Sequence, residues 1–116
     1  MVRKKISLPE ESCEGLLGGQ GTVTLVHLEQ LLLPETCGLC AKLTIPEGCS
    51  VGEHEHIGEA EVFYFLSGKG VVTDDDKRVE VQAGDVMTTV SGHRHSVQNS
   101  GKDDLVLVAV IIKEPK

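Results

Sequence analysis

The spacing of its turns constrains this chain more than any other feature. From Gly21 onward, short runs rich in valine, isoleucine and threonine are cut by turn residues at intervals of roughly 8–12 residues, and no stretch keeps a long helical period. Turns fall at residues 46–48, 67–70, 74–77, 83–85 and 100–103, each carrying glycine or aspartate. The runs between them, residues 21–28, 40–45, 61–66, 71–73, 78–81, 86–90 and 105–112, suit a pleated surface because β-branched and aromatic side chains pack well there. So many short strands predict an all-β sandwich or barrel.

A chain of 116 residues supports one hydrophobic core, hence one domain. Residues 1–20 lack periodicity and predict an irregular N-terminal arm, with the barrel domain over residues 21–116. Residues 29–35 suit either a helical turn or a loop ahead of Pro34. Residues 105–112 are apolar on both faces, which predicts a strand buried between two layers. In the run Glu61–Val62–Phe63–Tyr64–Phe65, alternation puts Phe63 and Phe65 inside with Glu61 and leaves Tyr64 on the opposite face.

Several function classes are disfavoured at once. The net charge of −7 leaves no basic surface for a duplex, since lysine and arginine cluster only at residues 3–5. One Tyr and two Phe, all adjacent, cannot form the spread stacking platforms that hold single strands. No apolar run reaches the roughly 18–20 residues that cross a bilayer, and the basic start lacks a signal-peptide core. The expectation is a cytoplasmic protein with four reduced cysteines, a small-molecule partner, and neither nucleic acid nor membrane.

The chemistry gathers between Gly48 and Gly68. His54 and His56 are two apart, so on an extended strand they project from one face and can grip one ion. Gly58 can turn the chain so that Glu61 faces back toward them, with Glu59 as a competing carboxylate. The spacing runs Gly48, five residues, His54, one residue, His56, four residues, Glu61, six residues, Gly68. A second segment runs Gly84, seven residues, Gly92, two residues, His95, three residues, Asn99.

Together these segments resemble the paired signatures of the cupin superfamily. One position departs: Val90 stands where the second signature usually has proline, which is expected to alter the loop and leave the ligands intact. The resemblance implies a double-stranded β-helix, or jelly-roll barrel, and a metal held by His54, His56, Glu61 and His95. It also implies a homodimer, formed by sheet extension. Such a nitrogen and oxygen set suits one divalent transition metal, Fe, Mn, Ni, Zn or Cu, without selecting among them. An octahedral ion would keep two open positions, pointing to a metal-dependent enzyme on a small oxygenated or acidic molecule, of dioxygenase, decarboxylase, lyase or isomerase type. The alternative is a non-enzymatic module that binds a small ligand or sugar.

Other motifs read more plainly. Cys37 and Cys40 have the spacing of redox and zinc sites, but they run straight into a strand without the helix that would lower a thiol pKa. His27 lies outside both segments and reads as a strand histidine with a local hydrogen-bond partner. His93 shares a face with His95 and is an acid/base near the site, an alternate ligand, or a residue at its mouth hydrogen-bonded to water. Asn99 reads as a strand-end hydrogen bonder, and Asp74, Asp75 and Asp76 as a solvated turn.

Overall fold

The computed structural model describes residues 1–115. Its strands are β1 (Glu10–Glu14), β2 (Thr22–His27), β3 (Cys37–Ile45), β4 (Ser50–Glu55), β5 (Glu59–Ser67), β6 (Lys69–Asp74), β7 (Lys77–Gln82), β8 (Val86–Thr89), β9 (Arg94–Asn99) and β10 (Leu105–Lys113). They build two sheets, one of six strands in the order β1-β2-β3-β10-β5-β8 and one of four in the order β4-β9-β6-β7. Every paired neighbour is antiparallel. The two faced sheets are the all-β architecture expected from the turn spacing, in the double-stranded β-helix form that the resemblance implied. Among the described residues, no helix is long and apolar enough to cross a membrane.

Alternation along the strands sets the core. Phe63 and Phe65 of β5, Leu105, Leu107 and Ala109 of β10, and Leu43 and Ile45 of β3 point inward from the six-stranded sheet. Val51, Val72, Val81 and Val97 meet them from the four-stranded sheet. Burying a valine, leucine or phenylalanine side chain stabilises the fold by about 1.5–3 kcal/mol, offset in part by the entropy of fixing it. At the far end of β9 from His95, the buried Asn99 amide donates to the carbonyls of Ile45 and Asp103, both at 2.8 Å. Its Oδ1 accepts the Gly101 N–H at 2.8 Å, so Asn99 ties the two sheets together at that end.

Three expectations need correction or completion. Residues 1–20 are not irregular throughout: Glu10–Glu14 forms β1, in register with Thr22 to Val26 of β2. Its side chains are almost all exposed, and the backbone ladder to β2 supplies the order that its sequence does not announce. Strand β10 is covered on one face only. Its outward residues Val106, Val108 and Val110 are half-buried and Ile112 is exposed, because among the described residues no second layer lies over that side. Residues 29–35 form a loop, organised by Glu29, whose carboxylate pairs with Arg3 and accepts the N–H groups of Leu31 and Leu32.

Candidate metal centre

The four donors come from both sheets. His54, on β4, pairs directly with His95 on β9, just past a register shift between Val51 and His54. His56 lies one residue beyond the end of β4, so the pair is not carried by one regular strand. Its backbone is fixed instead by the loop before β9: its N–H donates to His93 O at 3.1 Å and its carbonyl accepts the Gly92 N–H at 2.7 Å. The chain then turns at Gly58, whose φ of 71° is the left-handed region that a side chain disfavours, and enters β5 to deliver Glu61. Val90 does not undo the loop, which is closed by the His93 N–H on Val90 O at 3.1 Å and by the Gly58 N–H on Ser91 Oγ at 2.9 Å.

The side chains converge. His95 Nε2 lies 2.9 Å from His54 Nε2 and 3.0 Å from His56 Nε2. Glu61 Oε1 lies 2.9 Å from His56 Nε2 and 3.0 Å from His95 Nε2. One donor atom from each of the four residues falls within 4.8 Å of all the others. His56, Glu61 and His95 are buried, and His54 is half-buried. Phe63 stacks on His95 with centroids 4.9 Å apart and planes 18° from parallel, holding that ring's plane.

The opposite edge of each ring decides what the converging edges carry. His54 Nδ1–H donates to the Gly52 carbonyl at 2.8 Å, and His56 Nδ1–H donates to Glu59 Oε1 at 2.9 Å. Both partners only accept, so both Nε2 atoms present lone pairs. His95 Nδ1 lies 2.7 Å from Thr89 Oγ1, a hydroxyl that can accept the Nδ1–H hydrogen bond and so leave Nε2 bare as well. Burial pushes the His54 pKa below its ordinary value, with the Gly52 hydrogen bond acting in the opposite sense, which favours the neutral ring at that position. With all three rings in that tautomer, three lone pairs and a carboxylate oxygen are aimed at one point and repel one another unless a cation lies among them. The donor set therefore fits a divalent metal ion.

Of the residues singled out in the sequence, His54, His56, Glu61 and His95 are brought together, and the others are not. Glu59 stands behind His56 as its hydrogen-bond acceptor. His93 turns away to Asp75 at 2.6 Å, where the carboxylate raises the imidazole pKa. His27 bonds Glu11 at 3.1 Å, as expected of a strand histidine with its own partner. All four cysteines are free thiols, and Cys37 and Cys40 sit on β3. The sequence reading missed Thr89 and the Gly52 carbonyl, which set two of the three ring orientations. Thr89 carried a faint signal, since it shares inward parity with Met87 on β8.

A cavity of about 360 Å³ opens onto His54, His56 and Glu61. Its remaining lining is mostly aliphatic, with Leu16, Leu17, Leu25, Leu39, Leu43, Val51, Phe63 and Ile111, plus Glu55 and Glu59. The site thus pairs a polar, cation-seeking floor with greasy walls.

The cupin domain model matches residues 41–111, a span that contains all four converging residues. The chain belongs to the cupin family. This cupin is 41% identical to an oxalate-binding protein of Thermotoga maritima, over 97% of its own length and 93% of that protein. It superposes with a TM-score of 0.92 on the crystal structure of a predicted oxalate decarboxylase from Thermotoga maritima, at 40% identity, covering 97% of this chain and 99% of that one. The cupin domain of Schizosaccharomyces pombe Cnp3 shares the fold alone, at 17% identity and a TM-score of 0.73 over 79% of this chain and 61% of that one.

Proposed function

We propose that this cupin binds one divalent transition metal through His54, His56, Glu61 and His95, and that the ion takes a small molecule by two neighbouring oxygen atoms. The observation that carries the reading is the convergence of three Nε2 lone pairs and one carboxylate oxygen at the floor of a cavity. When bound, such an ion supplies Lewis acidity toward an oxygen donor. The chain's own residues do the rest. Gly52, Glu59 and Thr89 hold the imidazoles in the metal-binding tautomer, and the aliphatic walls keep water from the bound oxygens. Likeness to an oxalate-binding protein makes oxalate the first ligand to test.

A further reading, catalysis of decarboxylase, lyase, isomerase or dioxygenase type, gains support from Glu55, an exposed acidic residue at the cavity rim that is not among the converging donors. Elemental analysis of protein purified without added metal tests the site. We expect roughly one equivalent in the parent and a large loss in His56→Ala, because losing one ligand or its support weakens such sites severely. Equal metal in both would sink the reading. Turnover of oxalate by the metal-loaded protein, abolished in Glu55→Gln, would establish the enzyme; tight binding without product would leave a binding protein.

The other partner we propose is a second copy of the chain. The outward residues of β10 and β5, with Val86 of β8, form an apolar field that includes Val62, Val108, Val110, Tyr64 and Leu66, and none of them is acidic. Antiparallel sheets facing water usually alternate to polar residues outside, so this face suits an isologous contact rather than solvent. Light scattering coupled to size exclusion should give a dimer for the parent and a monomer for Val108→Lys. A monomeric parent refutes it. The four free thiols suit a reducing cytoplasm.

A further inference from the structure

We infer that the molecule this site takes is a singly charged 2-oxo or 2-hydroxy carboxylate carrying an aliphatic body, an inference that rests on the metal reading above and deepens it. Two features of the cavity point there. The first is its charge. Glu61 lies buried at its floor, Glu59 stands behind His56 and the exposed Glu55 lies at its rim, and among its lining residues there is no lysine or arginine. A divalent ion offsets part of that negative charge, and one carboxylate with a neighbouring carbonyl or hydroxyl oxygen can chelate it. A second carboxylate in the ligand would face walls that offer no cation to pair with it, and burying an unpaired charge is costly.

The second feature is shape and polarity. A volume of about 360 Å³ equals the bulk share of roughly twelve water molecules, far more than two chelating oxygens need. The volume beyond the donors is bounded by Leu16, Leu17, Leu39, Leu43, Phe63 and Ile111, which can exclude water around carbon and can do nothing for further oxygens.

The outer wall is built deliberately close to the metal ligands. Leu17 is held in the left-handed region, φ 53° and ψ 33°, within the turn Leu16–Gly18. That turn lies against β4 so tightly that a side chain on Gly52 would overlap the Leu17 carbonyl oxygen and come within 2.8 Å of Gly19 N. Gly52 is also the residue whose carbonyl orients His54. One backbone contact thus sets the distance between the leucine wall and a metal-binding imidazole, as a pocket that measures the body of its ligand requires.

The test uses the full chain loaded with Mn(II), its metal content measured in the same sample, and titration calorimetry with oxalate, 2-oxopropanoate and 4-methyl-2-oxopentanoate. Each buried methylene is worth a factor of about four, so the three added carbons should tighten binding at least tenfold over 2-oxopropanoate. The branched acid should also bind more tightly than oxalate. In Leu17→Asn, asparagine tolerates the left-handed backbone, so the fold and metal content should hold while the gain from the added carbons falls at least threefold. Metal present but no gain from the longer body overturns this inference alone, as does a gain that Leu17→Asn leaves intact. Protein that takes up no Mn(II) overturns the metal reading and this inference with it.

Discussion

Replacing Thr89 with valine should weaken metal binding without unfolding the protein. Thr89 and His95 are both about 1% exposed, and their Oγ1 and Nδ1 atoms lie 2.7 Å apart. To present a lone pair at Nε2, His95 must carry its proton on Nδ1, and Thr89 Oγ1 is the acceptor for it. Valine keeps nearly the same shape and removes that acceptor. The metal-free variant has an escape: the ring moves its proton to Nε2, which donates to Glu61 Oε1 at 3.0 Å. Binding metal then forces the proton back to Nδ1 against a methyl group. Leaving a buried N–H unsatisfied costs about 1–3 kcal/mol, or a loss of roughly 5–150-fold in affinity. A competition titration against a chelating indicator dye at neutral pH measures it, and Thr89→Ser should recover most of the loss. If Thr89→Val binds metal within about threefold of the parent, outside the range usual for such supporting groups, the tautomer argument is wrong.

Two further outcomes test other parts of the structure. Gly52→Ala should cost about 1–3 kcal/mol, since its methyl would meet backbone that cannot move aside cheaply, and a melting point unchanged from the parent would refute the close contact. Glu29 is held down from 4.5 to about 2, first by its hydrogen bond to Arg3. A carboxyl depressed on folding contributes stability that is present above its ordinary value and is lost as pH falls from there through about 2. In an NMR titration, Arg3→Ala should return the Glu29 carboxyl toward 4.5, and an unmoved midpoint would show that Arg3 is not the cause.

The legibility of the fold in the sequence was uneven, for physical reasons. Strand β5 was readable because its alternation is strict: Glu61, Phe63 and Phe65 are buried while Tyr64 and Leu66 are exposed. Strand β1 was not, because Glu10–Glu14 buries almost nothing and gains its order from a ladder to β2 that only the folded chain supplies. For β10 the apolar pattern was read correctly but its surroundings were not, since composition cannot say whether a second layer belongs to the same chain. The four converging residues followed from the resemblance of the two segments to the cupin signatures, since the residues alone left Glu59 open beside Glu61. Their orientation did not, because Thr89, Glu59 and the Gly52 carbonyl act through hydrogen bonds whose partners are fixed by the register of β4, β8 and β9.

Glu61 belongs to the six-stranded sheet, whereas His54 and His95 belong to the four-stranded one. An ion gripped from both sides would rivet the two layers at the end of the sandwich opposite Asn99. Prying the sheets apart would then require releasing the ion first. Scarcity of the metal would shorten the lifetime of each copy against proteases, coupling the abundance of the protein to the supply of what it holds.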